Sequence, residues 1–338
     1  MSGPTIDTDR FSSQLRHRGL DPAAQRVAIT RFDGSEQEQD MTEPSNCEGF
    51  GRIRHFRRAT GDGWPENPLP IDPVARSLGI RPAPDTMRAQ VFQNAVCNWR
   101  CWYCYVDFPL LSGRRDHSAL LSADELVERY LAEPSRPSVI DLTGGQPDLV
   151  PEWIVWMIQA RQRRGLDEQV YLWSDDNLSN AYFWEKLTDG QRRIVFEAPH
   201  YGKVCCFKGF DDASFAFNTG AAPALFSRQF DLMRRLVRDT PLDLYSYATF
   251  TAPDDRGIDV RMRAFVDRLQ GIDEALPLRT VPLQINVFSP NRARMTDDHQ
   301  RALEVQDEAI TAWRQELEAR FAPADRNRGI YDVELRCG

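Results

Sequence analysis

From residue 88 onward the spacing of apolar positions switches repeatedly between the two-residue period of a strand and the 3.6-residue period of a helix. Val91-Phe92-Gln93-Asn94-Ala95-Val96 closes a first predicted strand over residues 89–96. Ser122, with Glu125 three residues later, forms a capping box, and Leu126, Val127, Tyr130 and Leu131 then share one helical face. A second strand over 138–142 ends at Thr143-Gly144-Gly145-Gln146-Pro147. A helix follows from Pro151, with Trp153, Trp156, Met157 and Ala160 on its inner side and Gly165 as its stop. The third strand, 170–173, runs into Ser174-Asp175-Asp176-Asn177 and a helix over 181–187. The fourth, 203–208, precedes an amphipathic segment over 225–237, and the fifth, 243–250, precedes a helix facing inward with Met262, Phe265, Val266 and Leu269. After a sixth strand over 281–288, Leu303, Ile310, Trp313, Leu317 and Phe321 recur at helical spacing.

Six consecutive strand-then-helix units predict an α/β fold with parallel strands flanked by helices, as a barrel-like or a doubly wound sheet. In both, ligands sit at the carboxyl ends of the strands. The loops after strands one, two and three therefore meet at one rim. Residues 1–87 read as an irregular N-terminal extension, 88–322 as the core and 323–338 as a tail. The extension holds a short helix near 10–16, a strand over 26–30, a polar tract over 33–46 and a proline-rich stretch over 65–84. Its basic run Gly51-Arg52-Ile53-Arg54-His55-Phe56-Arg57-Arg58 could grip a phosphate or carboxylate, but reads first as a solvated surface segment.

With 338 residues the chain can bury a large core, and a formal net charge of −8 argues against nucleic acid or an anionic membrane as a whole-protein partner. The start lacks the charged and apolar regions of a signal peptide, and no stretch approaches the ~18 apolar residues of a membrane span. A cytoplasmic protein without a membrane partner is the expectation. Seven cysteines, an odd number with three clustered, favour metal ligation over a disulfide framework.

That cluster is Cys97-Asn98-Trp99-Arg100-Cys101-Trp102-Tyr103-Cys104, directly after the first strand. Soft thiolates favour zinc, Cu(I) or iron–sulfur clusters. A closed zinc site needs a fourth ligand, and none follows nearby. A [4Fe–4S] cluster usually takes four cysteines, so three on one loop leave one iron without a protein ligand. Cys47, Cys205, Cys206 and Cys337 are scattered, and Cys205 and Cys206, as strand neighbours, point to opposite faces and read as inert. On strands five and six, Tyr245 and Tyr247, and Gln284, Asn286 and Phe288, form two same-face sets, one of each set for the interior. His200 falls at the opposite rim, and no histidine forms a catalytic pair.

The C-x3-C-x2-C spacing, the strand before it, Tyr103 before the last cysteine and the six units that follow resemble the radical SAM superfamily over residues 88–320. The resemblance implies a partial (β/α)6 TIM-like barrel. It also implies a [4Fe–4S] cluster on Cys97, Cys101 and Cys104 whose open iron chelates S-adenosylmethionine, and a 5′-deoxyadenosyl radical that abstracts hydrogen. Tyr103 would lie near the adenine. Gly144-Gly145-Gln146-Pro147 looks like the motif that holds the methionine end, with Gln146 where the family carries an acid. Ser174 and Asp176 either bind the ribose hydroxyls or ammonium, or turn the chain, and Asp175 and Asn177 read as capping residues. Lys208, in Lys208-Gly209-Phe210-Asp211, either meets a carboxylate of cofactor or substrate or is a surface lysine.

The substrate expected is a small molecule, with flavodoxin or ferredoxin as electron donor. The alternatives are an activase that makes a glycyl radical on a partner protein and a non-enzymatic iron–sulfur or zinc protein.

Overall fold

The computed structural model describes residues 5–335 of the chain. In the leader, α1 (Thr8–Gly19), β1 (Leu20–Asp21), β2 (Arg26–Thr30), β3 (Gly51–Arg57) and α2 (Ile71–Ser77) precede the core. The core begins with β4 (Thr86–Phe92), β5 (Ser118–Ser122), α3 (Ala123–Ala132), β6 (Val139–Leu142), α4 (Glu152–Arg163) and β7 (Tyr171–Asp176). It continues through α5 (Tyr182–Glu185), α6 (Asp189–Phe196), β8 (Tyr201–Phe207), α7 (Asp212–Thr219), α8 (Leu225–Asp239), β9 (Leu244–Thr249), α9 (Ile258–Gln270), β10 (Thr280–Leu283), α10 (Ser289–Arg292) and α11 (Asp297–Arg320).

Among the described residues the main sheet has seven strands in the order β10-β9-β8-β7-β6-β4-β3. The pairs from β4 to β10 are parallel, and β3 is added antiparallel to β4. The sheet curls into a half-barrel with helices outside, a partial TIM-like α/β fold.

Alternation along each strand sorts side chains to two faces. Tyr171, Trp173, Val204, Cys206, Tyr245 and Tyr247 fill the concave interior, whereas Ile140, Leu142, Leu172 and Tyr201 pack outward on Trp153, Met157 and other helix residues. Cys205 belongs to an outer cluster and Cys206 to the inner one, as alternation requires. Each fully buried large side chain contributes roughly 1.5–3 kcal/mol. The capping box of α3 is formed, with Glu125 N donating to Ser122 Oγ at 3.2 Å and Ser122 N to Glu125 Oε2 at 2.7 Å.

The sixth strand stops at Leu283, where β9 also ends opposite it at Thr249. Gln284, Asn286 and Phe288 therefore lie beyond the strand. The predicted helix over 181–187 is the short α5, followed by α6, which starts from its own Thr188 cap. Cys337 lies outside the described residues.

The leader holds more regular structure than its composition announces. β3 runs seven residues along β4, from Gly51 opposite Phe92 to Arg57 opposite Thr86, so the basic run is a sheet strand and not a solvated segment. β2 pairs antiparallel with β5, and Ile29 bridges Asn94 just before the cysteine loop. No helix among the described residues is long and apolar enough to cross a membrane.

A chain beginning at residue 88 would bare the β4 edge and lose the partner of β5. Expressed alone, it should be insoluble or lack the cooperative thermal transition that the full chain shows.

Candidate functional site

The cysteine loop leaves β4 at the carboxyl rim and is fixed along its length. Cys97 N donates to Leu111 O at 3.1 Å, Trp102 N to Asn218 O at 3.1 Å and Cys104 N to Cys101 O at 3.0 Å. From behind, α1 holds it: Asn98 Nδ2 donates to Ser12 Oγ at 2.9 Å and Trp99 Nε1 to Thr8 Oγ1 at 3.1 Å. Two arginines clamp its carbonyls. Arg100 donates to Cys97 O at 2.5 Å and Trp99 O at 2.8 Å, and Arg294 donates to Trp102 O at 3.2 Å and to Cys104 O.

Cys97, Cys101 and Cys104 are free and half-buried. Burial pushes the Cys101 thiol up to about 12, with Lys208 opposing the shift. A thiolate persists there only where a cation replaces the proton. Among the described residues no three His, Cys, Asp or Glu side chains converge as ligands of one metal ion. Three soft donors on one loop, flanked by Arg100, Arg294 and Lys208, suit an anionic sulfur-ligated cluster in donor chemistry and in charge.

The loop after β6 docks directly on the base of the cysteine loop. Gly144 and Gly145 have φ of +70° and +75°. A Cβ on Gly145 would lie 2.2 Å from Asn94 O and 2.7 Å from Val96 O, so the close approach is to backbone of this chain. Gln146 N donates to Val96 O at 2.8 Å, and Asn94 Nδ2 to Gln146 O at 2.8 Å. The Gln146 side chain is used at both ends. Its Nε2 donates to Asp176 Oδ1 at 2.8 Å and its Oε1 accepts from Asn177 N at 2.9 Å.

Asp176 also accepts from Leu178 N at 2.8 Å, and Ser174 Oγ lies 2.8 Å from Tyr201 OH. Lys203, fully buried, donates to Asp148 Oδ2 at 2.5 Å and stands 3.9 Å from Asp176. Burial alone would lower the Lys203 ammonium, and Asp148, Tyr201, Asp176 and Cys205 together more than reverse that. Ser174, Asp176 and Lys203 alternate with interior positions; Asp176 and Lys203 join Gln146 and Asp148 in a network that ties the loops together, and Ser174 pairs with Tyr201.

The interior positions are different residues. Tyr103 OH reaches Thr249 Oγ1 at 3.1 Å, placing its ring over the end of β9. Lys208 lies within electrostatic reach of Cys101, Tyr103 and Asp175. Asp175 accepts from the Thr143 hydroxyl. Asp141 is fully buried, 3.5 Å from Arg54 Nη1, and neither carboxylate oxygen has a hydrogen-bond partner. Arg52, nine-tenths buried, stacks 5.2 Å from the Tyr105 ring. The sequence places Asp175 as a cap and Arg52 and Arg54 in a basic run that could grip a phosphate or carboxylate but reads first as solvated surface, and it leaves Asp141, Arg100, Arg294 and Thr143 unassigned. The signal for Asp141 was an acid flanked by Ile140 and Leu142 in an otherwise apolar strand.

Burial, then the Asp175 charge, raises the Asp141 carboxyl above its ordinary range, against the pull of Arg54 and Arg52. The unfolded chain releases this proton near pH 4 while the folded chain retains it, so this group's stability contribution falls as pH rises above about 4. Asp141→Asn cannot ionise. Its thermal midpoint should exceed that of the natural chain by a margin that grows from about pH 4 toward neutrality, and a constant or inverted margin would contradict the assignment. Gln146→Glu sets a second carboxylate against Asp176, so a loss on the order of 2–4 kcal/mol is expected in denaturant unfolding at neutral pH, smaller in acid.

Neither a protein-family model nor a curated protein matches the chain. Solved structures similar to it include Streptococcus suis SuiB bound to the precursor peptide SuiA, at 14% identity and a TM-score of 0.37 over 53% of this chain and 36% of that one. They also include SuiB bound to S-adenosylmethionine, at 16% identity and a TM-score of 0.37 over the same shares. The chain thus spans about a third of the length of these structures. Overlap of this extent speaks to neither activity nor ligand.

Proposed function

We propose that the chain is a radical SAM enzyme that carries its cluster on Cys97, Cys101 and Cys104. The observation that carries this reading is three half-buried thiols on a clamped loop at the carboxyl rim of six parallel strands, with a cationic flank and no fourth cysteine on that loop. When bound, a [4Fe–4S] cluster with one open iron supplies the single electron that splits the sulfonium of S-adenosylmethionine into methionine and a 5′-deoxyadenosyl radical.

This chain's residues bind, position and shield. Arg100 and Arg294 fix the loop carbonyls and bring positive charge beside three thiolates. Gly144 and Gly145 seat the second loop against the first, and Gln146 links it to Asp176 and Asn177. In this reading the backbone of the Gly144-Gly145 loop and the Tyr103 ring are the cofactor contacts. Gln146, Ser174 and Asp176 are positioning residues, because their side chains are already committed to protein partners. Lys208 and Asp175 face the interior, where a substrate would lie. The substrate is a small molecule, with a flavodoxin or ferredoxin as the source of the electron.

Anaerobic reconstitution should give about four irons per chain. With S-adenosylmethionine and dithionite, this material should release 5′-deoxyadenosine. Cys101→Ala should lose both the brown chromophore and the product. A verified four-iron cluster that yields no 5′-deoxyadenosine would refute the reading.

A further inference from the structure

The interior of the half-barrel holds charged groups that the fold does not need. Arg52 and Arg54 project from β3, which the leader supplies, Asp141 from β6, Asp175 from β7, and Lys208 follows β8. Arg52, Val91, Asp141 and Trp173 are register neighbours, so the guanidinium and the carboxylate stand on the same face two strands apart.

Their hydrogen bonds are incomplete. Both Asp141 oxygens are buried without a partner, and so is Arg52 Nε. Arg54 approaches Asp141 at 3.5 Å, too long for a good hydrogen bond, and 28% of its side chain stays exposed. Buried polar groups are almost always paired, and a buried carboxyl group with both oxygens unpaired opposes folding. Such a group persists where a ligand completes it. The cluster also reaches the cysteine loop electrostatically: Asp141 interacts with Asp175, Asp175 with Lys208, and Lys208 with Cys101.

The unmet needs define a ligand. Neither Asp141 oxygen has a hydrogen-bond partner, and an amine supplies donors to both once the carboxyl gives up the proton it retains in the free chain. Arg52 and Arg54 present forked donors suited to a carboxylate. We propose that this interior cluster binds the head group of a free α-amino acid, with the ammonium on Asp141 and the carboxylate on Arg52 and Arg54. This names the substrate class of the enzyme proposed above and rests on that reading. The arginines come from the leader strand, so substrate selection belongs to residues before 88 as well as to the core.

The test is thermal unfolding of the anaerobically reconstituted full chain, with S-adenosylmethionine in excess so that its own amino-acid moiety fills its own site. Three pools serve as probes: the twenty L-amino acids, their N-acetyl derivatives and their carboxamides. The free pool should raise the midpoint by about 3 °C or more at saturating concentration, and neither capped pool should do so. The shift should vanish in Asp141→Asn and in Arg52→Gln. No shift with the free pool, or equal shifts with a capped pool, overturns the proposal. The pool comparison is made on the natural chain and does not depend on a variant folding. Release of 5′-deoxyadenosine is scored separately. Binding without that product removes the radical reading alone, and product without amino-acid binding removes this inference alone.

Discussion

The rim depends on one close approach. Gly145 presses its Cα against Asn94 O and Val96 O, leaving no room for a Cβ, and its neighbour Gln146 hydrogen-bonds both to those residues and to the end of β7. Three loops from three adjacent strands thereby share one hydrogen-bonded seam. Gln229 of α8 extends it, donating to Asn177 O at 2.7 Å and Cys206 O at 2.9 Å. Displacement of any one loop would break bonds in the others, which is how a cysteine loop without regular secondary structure keeps its shape.

Strand parity then divides the labour. At the ends of β6, β7 and β8, alternate residues either face the helices and join the seam or face the interior. Asp176 and Ser174 take the first role, Asp175 the second. In the outer network Lys203 lies between the carboxylates of Asp148 and Asp176, with Asp148 Oδ1 left without a hydrogen-bond partner. The inner set of Arg52, Arg54 and Asp141 is left open.

The leader belongs to the same economy of support. Its helix backs the cysteine loop through Ser12 and Thr8, its strand β2 pairs with β5, and β3 completes the sheet edge. Asp40 accepts from Ser289 N at 2.8 Å and so joins the leader to α10, beside the arginine that clamps the cysteines.

The succession of six core strands with helices between them, the capping box at Ser122, the opposite facing of Cys205 and Cys206 and the rim placement of the cysteines were legible in the chain, because local periodicity and parallel topology decide them. The sixth strand read too long, since the strand ends where its neighbour offers no further partner. The basic run read as surface, because pairing between residues 51–57 and 86–92 leaves no local signature. Which of Ser174, Asp175 and Asp176 faces the interior turns on a single residue of phase, beyond the reach of turn propensity. The sequence by itself determined the fold class and the clustering of three cysteines on one rim loop, through properties that act over a few residues. Tertiary structure alone decided which polar side chains are satisfied, because a hydrogen-bond partner 30 or 80 residues away is chosen by strand register and burial.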